Sequence, residues 1–410
     1  MRGVKKWLPI AIRPRNFACV TCDQEDTLVR TIPEASETVS CGEPGIHDTP
    51  ASDCGTRLAV LRPRPFVAPR AGMTVIQAVL VALVSCCAVG CVTQSTGTYD
   101  GAVTVTVEND AFTGSDNNYT NGIGVTWNSN EINTYDDGRF VREWAKFWSF
   151  LPFVGDDGYQ TYAAWSVAQE MYTPDDIKVA NPPEDDQPYA GVLYVDSVLY
   201  ARRDRTEHAW SLKVGVVGPA SQAEDTQKWF HHVIGADQPK GWDTQLPNEP
   251  LVNVGYSVAH LWVQGNVGRT ASWRLVPVGT VALGNYFTGA AAGMYGEVGW
   301  NLVDALGTTA LRSGFNAAST AGVGPVPGWS VAFIAGIGGY GVAHWLPLDG
   351  TVFHDSRSVD SKPFVGTGTI GVSVRHHGFA MSLTRTFFTE TFDTERANAQ
   401  FGTLSVSWYF

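Results

Sequence analysis

The segment "SQAEDTQKWFHHVIGAD", Ser221 to Asp237, sets Gln227 and His231 four residues apart. In a helix that spacing stacks both side chains on one face and turns His232 roughly a quarter-turn away. Helix is signalled by Ser221 with Glu224 three residues later, the pattern of a capping box, and by Gly235 as a stop. An imidazole that titrates near neutrality can act as a general base toward water or a hydroxyl, provided a neighbouring amide or carboxylate fixes its tautomer. Gln227 and Asp237 are the neighbours of suitable type. A second polar stretch, "ENDAFTGSDNNYTNG" from Glu108 to Gly122, supplies an amide, a carboxylate and a hydroxyl in Asn109, Asp110 and Thr120. Asn109 and Asp110 read equally as an Asx-turn and Thr120 as a strand start, while Asp116, Asn117 and Asn118 read as turn chemistry.

These residues sit between segments of strict alternation. "AVTVTVE" puts Val103, Val105 and Val107 on one face, and "GIGVTW" does the same with Ile123, Val125 and Trp127. Such runs predict half-buried strands, and about twelve recur along the chain. Many are about ten residues long, enough to cross a bilayer as tilted strands. Trp127, Trp165, Tyr200, Trp262, Trp273, Trp300, Trp329, Trp345 and Trp408 fall at their ends like aromatic girdles. The expected fold is therefore all-β: an antiparallel transmembrane barrel of about twelve strands with a short helix in an extracellular loop. "GTLSVSWYF" alternates Leu404, Val406, Trp408 and Phe410 and stops on the aromatic, which reads as a closing strand and as the signal for the barrel assembly machinery. With both termini periplasmic, the loops near 109–118, 171–188 and 218–251 face outward. The segments 129–159 and 303–328 are long for periplasmic turns.

Composition narrows the partners. The chain has 410 residues, 43 glycines and a net charge of −12, which excludes a nucleic-acid binder because that role needs a basic stripe. All seven cysteines lie at or before Cys91. Cys19-x-x-Cys22 lacks a second pair at zinc-finger spacing. Residues 1–72 read as a leader or over-extended start, and 73–91 as a signal peptide whose "AVGC" resembles a lipobox ending at Cys91. Residues 92–410 are the expected outer-membrane barrel, a monomer in contact with outer-membrane lipids.

Five stretches carry a more specific likeness: the Glu108–Gly122 loop, "AQEMYTPDDI", "DQPYAGVLY", "GVVGPASQAEDTQKWFHHVIGAD" and "GWDTQLPNEP". Together they resemble the outer-membrane lipid A 3'-O-deacylase family, through most of residues 100–260 and on as barrel to Phe410. The resemblance implies a calcium-dependent esterase at the extracellular rim that removes 3'-linked acyl chains from lipid A within lipopolysaccharide. It places the catalytic histidine at His231, with Gln227, Thr120, Asn109, Asp110 and Asp237 as the other functional positions. Asp110 and Asp237 are the candidate calcium ligands. Asp237 stands where the family often has Glu, and His232 where it can have Arg. For the lipid phosphates the candidate cations are Lys228 and Arg385. Asp175, Asp176, Asp185 and Asp186 are of a type to ligate calcium but read more simply as solvated loop acids outside the core site, with Glu170 as an outlying candidate for it. Two rival readings remain: a phospholipase-type acyl hydrolase of the outer membrane, for which no Ser-His spacing is apparent, and a passive porin or structural barrel.

Overall fold

The computed structural model describes residues 101–110, 118–129, 139–303, 306, 326–396 and 398–410. The expected leader and signal segment, with Cys91, lie outside these residues. The strands are β1 (Gly101–Asn109), β2 (Asn118–Ser129), β3 (Gln160–Thr173), β4 (Ala190–Arg203), β5 (Thr206–Val217), β6 (Glu249–His260) and β7 (Val263–Val267). They continue as β8 (Ala271–Gly284), β9 (Phe287–Trp300), β10 (Val326–Trp345), β11 (Phe364–His377), β12 (Phe379–Phe388) and β13 (Gln400–Tyr409). Among the described residues, three helices interrupt them: α1 (Arg139–Phe147), α2 (Ala223–Ile234) and the single turn α3 (Leu346–Asp349).

Apart from β6 and β7, consecutive strands pair antiparallel, and β1 also pairs with β13. The strands β6 and β7 are two halves of one stave, since both pair with β8, at Val278–Gly284 and Ala271–Leu275 respectively. Thirteen segments thus close a twelve-stave barrel with no open sheet edge, as hydrocarbon requires.

Alternation sorts the side chains as expected. Val103, Val105, Val107, Leu404 and Val406 face outward, while Thr104 and Thr106 face inward and hydrogen-bond Ser407 and Ser405 at 2.8 and 3.1 Å. Toward the end that carries Gly101 and Phe410, the termini of the described barrel, register aligns Trp165, Trp127, Val103, Trp408 and Phe379 in an outer row, an aromatic girdle. Two girdle candidates belong elsewhere: Tyr200 is buried inside, and Trp345 packs beside the buried Leu346 and Phe287 at the opposite rim.

The rim away from the termini is filled. Tyr172, Tyr194, Tyr286, Phe287, Leu246 and Leu346 form one buried cluster there, and the Leu346 N–H bonds the Tyr286 carbonyl at 3.0 Å. A packed interior of this kind does not suit a passive pore. Within it Glu170 is completely buried and accepts hydrogen bonds from Tyr194 (2.7 Å), Tyr172 (2.8 Å) and Tyr286. The Lys213 ammonium lies 3.8 Å from the Tyr194 ring centroid. Glu170→Ala would remove the acceptor these three buried hydroxyls share, although Tyr172 and Tyr286 still bond each other at 2.9 Å, so we expect a loss of about 1–3 kcal/mol in stability, with a smaller loss for Glu170→Gln. The midpoint of thermal unfolding in detergent checks both.

The long segment after β2 holds a helix that strand alternation does not reveal. In α1 the residues Val141, Trp144 and Ala145, with Trp148 directly after its end, recur at helical spacing and pack on Ala163, Trp165, Leu199 and Trp210 of β3–β5. These wall residues face outward, so α1 lies against the lipid-facing side near the termini, which explains the length of that connection.

Candidate active site

The helix α2 lies over the outer wall at the rim away from the termini. Ser221 does not cap it: Ser221 closes a preceding 3-10 turn, Pro219–Ser221, and Gln222 occupies the N-cap in left-handed conformation (φ 59°) without a side-chain cap bond. The expected capping box is therefore absent, and the chain enters the helix through a sharp turn instead. Its C-terminus ends as expected at Gly235 (φ 73°), whose N–H bonds the His231 carbonyl. The face toward the barrel consists of Ala223, Thr226, Gln227 and His231, all buried, at helical spacing.

Two contacts seat this helix. Ala223 packs with Met171, Tyr189 and Trp242 in a buried cluster. Gly191 of β4 lies directly under the helix start: a Cβ there would meet the Ala223 Cβ and the Ser221 Oγ, each at 2.3 Å. Only a residue without a side chain permits so close an approach. Gln169, on the outer face of β3, donates from Nε2 to the Ser221 carbonyl at 2.6 Å, and its Oε1 is buried with no hydrogen-bond partner among the described residues.

Register shows what lies beneath. Asn109 pairs with Asn121, Asn121 with Met171, and Met171 with Gly191. Paired residues share a face, so these four form one outer row spanning about 14 Å. His231 lies eight residues beyond Ala223, about 12 Å along the helix axis, and α2 touches both β4 and β3. Thr120 falls at a register step between Tyr119 and Asn121, where β2 bulges against β3. Asp110 follows directly on β1 and is almost wholly buried. Asn109 is buried as well, on the outer face beside it.

The His231 Nδ1 lies 2.5 Å from the Asp237 carbonyl oxygen. A carbonyl can only accept, so Nδ1 carries the proton and Nε2 presents the lone pair. Asp237 thus orients the imidazole through its backbone. Its carboxylate is turned away, 3.4 Å from the Lys178 Nζ with the side chain 70% exposed, so the expected side-chain contact of Asp237 with the site is replaced by a main-chain one. Gln227 does not hold the imidazole. Its Oε1 accepts from the Trp242 Nε1–H at 2.7 Å, and its Nε2 is buried without a hydrogen-bond partner among the described residues.

Other expectations shift with strand parity. Glu170 lies inside the barrel, on the opposite face from Gln169 and Met171, which removes it from the vicinity of α2. Lys228 pairs with Glu224 at 2.5 Å on the exposed side of the helix. Asp186 accepts from the N–H groups of Gln187 (2.8 Å) and Asp175 (3.2 Å), a loop-bracing role. Burial, reinforced by the nearby Asp175 carboxylate, pushes the Asp186 carboxyl above its ordinary range. Residues 111–117, with Asp116 and Asn117, lie outside the described residues. Gly191, Gln169 and Trp242 are site-building residues that motif chemistry alone did not single out, although they sit in "DQPYAGVLY", "AQEMYTPDDI" and "GWDTQLPNEP" respectively.

A filled twelve-stave barrel with a polar notch on its lipid-facing wall agrees with a family comparison: the family model of outer membrane protein LpxR matches residues 78–410. The chain belongs to that family. Among solved structures, LpxR from Salmonella typhimurium superposes with a TM-score of 0.62 at 15% identity, covering 75% of this chain and all of that one. The β domain of the Bordetella autotransporter BrkA (TM-score 0.37, 9% identity) covers 76% of this chain and 100% of its own. The NalP translocator domain from Neisseria meningitidis (TM-score 0.32, 8% identity) covers 82% and 95% respectively. No curated protein sequence matched. Membership of the LpxR family places the chain in the outer membrane as a protein of the lipid A deacylase type, in accord with the motif resemblance.

Proposed function

We propose that this barrel hydrolyses the 3'-linked acyl esters of lipid A, with His231 as general base. The carrying observation is the His231–Asp237 contact, which leaves the Nε2 lone pair on an imidazole held over the lipid-facing wall. There an acyl chain can stay in the bilayer while its ester reaches the notch. Water adds to the ester carbonyl as Nε2 takes its proton. The same proton then goes to the departing sugar oxygen, giving a fatty acid and a free hydroxyl. The Gln227 Nε2 group, a donor without an acceptor among the described residues, is suited to the ester or to the water.

The donor types around the Asn109 row suit a hard cation: the Asp110 carboxylate, the Asn109 amide oxygen and the Gln169 Oε1, which has no partner among the described residues. Among the described residues no three acids, histidines or cysteines cluster together. Calcium here would rest on one carboxylate, Asp110, and on neutral oxygens, a set that points to weak, millimolar-class binding. When bound it would polarise the ester carbonyl. The bulge at Thr120 supports one alternative, a Thr120 nucleophile activated by His231, and an acyl-enzyme trapped on Thr120 would establish it.

Mass spectrometry of lipid A from cells expressing the protein tests the reading, the expected product lacking its 3'-linked acyl chains. Intact lipid A with cleaved phospholipid would replace it with a phospholipase. Excess chelator should stop the reaction, and persistence of activity would remove calcium.

A further inference from the structure

Polar side chains on the outer wall gather in one place. Nearer the termini, β12, β13 and β1 present Phe379, Met381 and Leu383, then Leu404, Val406 and Trp408, then Val103, Val105 and Val107. On the neighbouring β11 and β10 the wall is apolar as far as the rim, where Ile370, Phe364 and Ile337 are exposed. Between that apolar surface and α2 stands Arg385. It pairs across β13 with Gly402, and Gly402 pairs with Asn109. Arg385 therefore shares the outer face and the level of the Asn109 row, two strand spacings or about 10 Å away, separated from Asn109 by a residue without a side chain.

At the rim a guanidinium stands at headgroup height, where its cost is small and where it can meet an anion. The surroundings of Arg385 hold it without neutralising it. Nη2 donates to the Gln400 Oε1 at 2.7 Å, and the guanidinium carbon lies 4.9 Å from the Phe387 ring centroid. Among the described residues its buried Nε has no hydrogen-bond partner and its guanidinium forms no ion pair. A planar fork with a spare donor, braced by an amide and an aromatic ring, matches a phosphate.

We infer that Arg385 forms an anion subsite for a phosphate monoester carried by the lipid substrate, on the sugar carbon next to the esterified one. The inference rests on the deacylase reading for the identity of that lipid. One sugar ring, with ester and phosphate on adjacent carbons, can bridge the gap between Asn109 and the reach of the guanidinium. Arg385 is thus a positioning residue that sets which ester enters the notch.

The test uses the full-length protein in detergent, with His231→Ala to prevent turnover. Binding of bisphosphorylated lipid A is compared with binding of the same lipid lacking the phosphate next to the ester. Arg385→Gln should weaken binding of the phosphorylated lipid by about 10–100-fold, leave the other lipid unchanged, and be partly rescued by Arg385→Lys. Equal affinities with and without Arg385, or equal losses for both lipids, would overturn the proposal. So would Arg385-dependent retention of inorganic phosphate without any preference between the two lipids. In the protein with His231 intact, Arg385-dependent binding without ester cleavage would sink the deacylase reading while leaving the subsite standing.

Discussion

Replacing His231 with alanine is expected to lower ester hydrolysis by about 10²–10⁴-fold, the range for loss of a general base, without affecting assembly of the barrel. The geometry makes a sharper contrast available at Asp237. Its carbonyl holds the imidazole, whereas its carboxylate meets Lys178 at 3.4 Å. Asp237→Asn and Asp237→Ala keep that carbonyl and should retain activity to within a few-fold. A carboxylate that ligated calcium or held the imidazole itself would give a loss comparable to His231→Ala. Initial rates on lipid A in micelles, with heat-modifiable migration as the folding control, distinguish the two. Full activity in His231→Ala would remove the histidine from the reaction altogether.

That contrast also marks what the amino-acid order could disclose. Alternation reveals the barrel because a lipid-facing and a lumen-facing residue must follow one another, and the terminal Leu404–Phe410 pattern reveals its closing strand. The helix bearing Gln227 and His231 is equally legible, since four-residue spacing and Gly235 are local signals. Main-chain chemistry is not. Side-chain types at Asp237 suggest a carboxylate contact, whereas the carbonyl does the orienting, and a carbonyl is present at every position. Ser221 with Glu224 imitates a capping box because the motif cannot tell that Ser221 already belongs to a preceding turn. Glu170 looks available until parity puts it inside the barrel among Tyr172, Tyr194 and Tyr286. In α1, dense aromatics at helical spacing were overshadowed by the strand pattern on either side.

Gly191 is the residue whose importance only three dimensions disclose, and its substitution carries the second large effect. A Cβ at this position would lie 2.3 Å from both the Ala223 Cβ and the Ser221 Oγ. Neither neighbour can withdraw easily. Ala223 is packed against Met171, Tyr189 and Trp242, and the Ser221 carbonyl is held by Gln169 at 2.6 Å. The strand beneath is fixed by its ladders to β3 and β5. The weaker partner is the helix, whose seat on the wall is one small cluster, so Gly191→Val should lift the start of α2 rather than distort the barrel. His231 rides on that helix, and a displacement of about 1 Å from a productive geometry is enough to cost roughly 100-fold in rate. We therefore expect Gly191→Val to lose about 100-fold in ester hydrolysis while its heat-modifiable migration and thermal midpoint stay close to those of the parent. Gly191→Ala, with the smallest possible Cβ, should fall between the two. Wild-type rates in the valine variant would mean that α2 tolerates displacement and that its seat on Gly191 does not position His231.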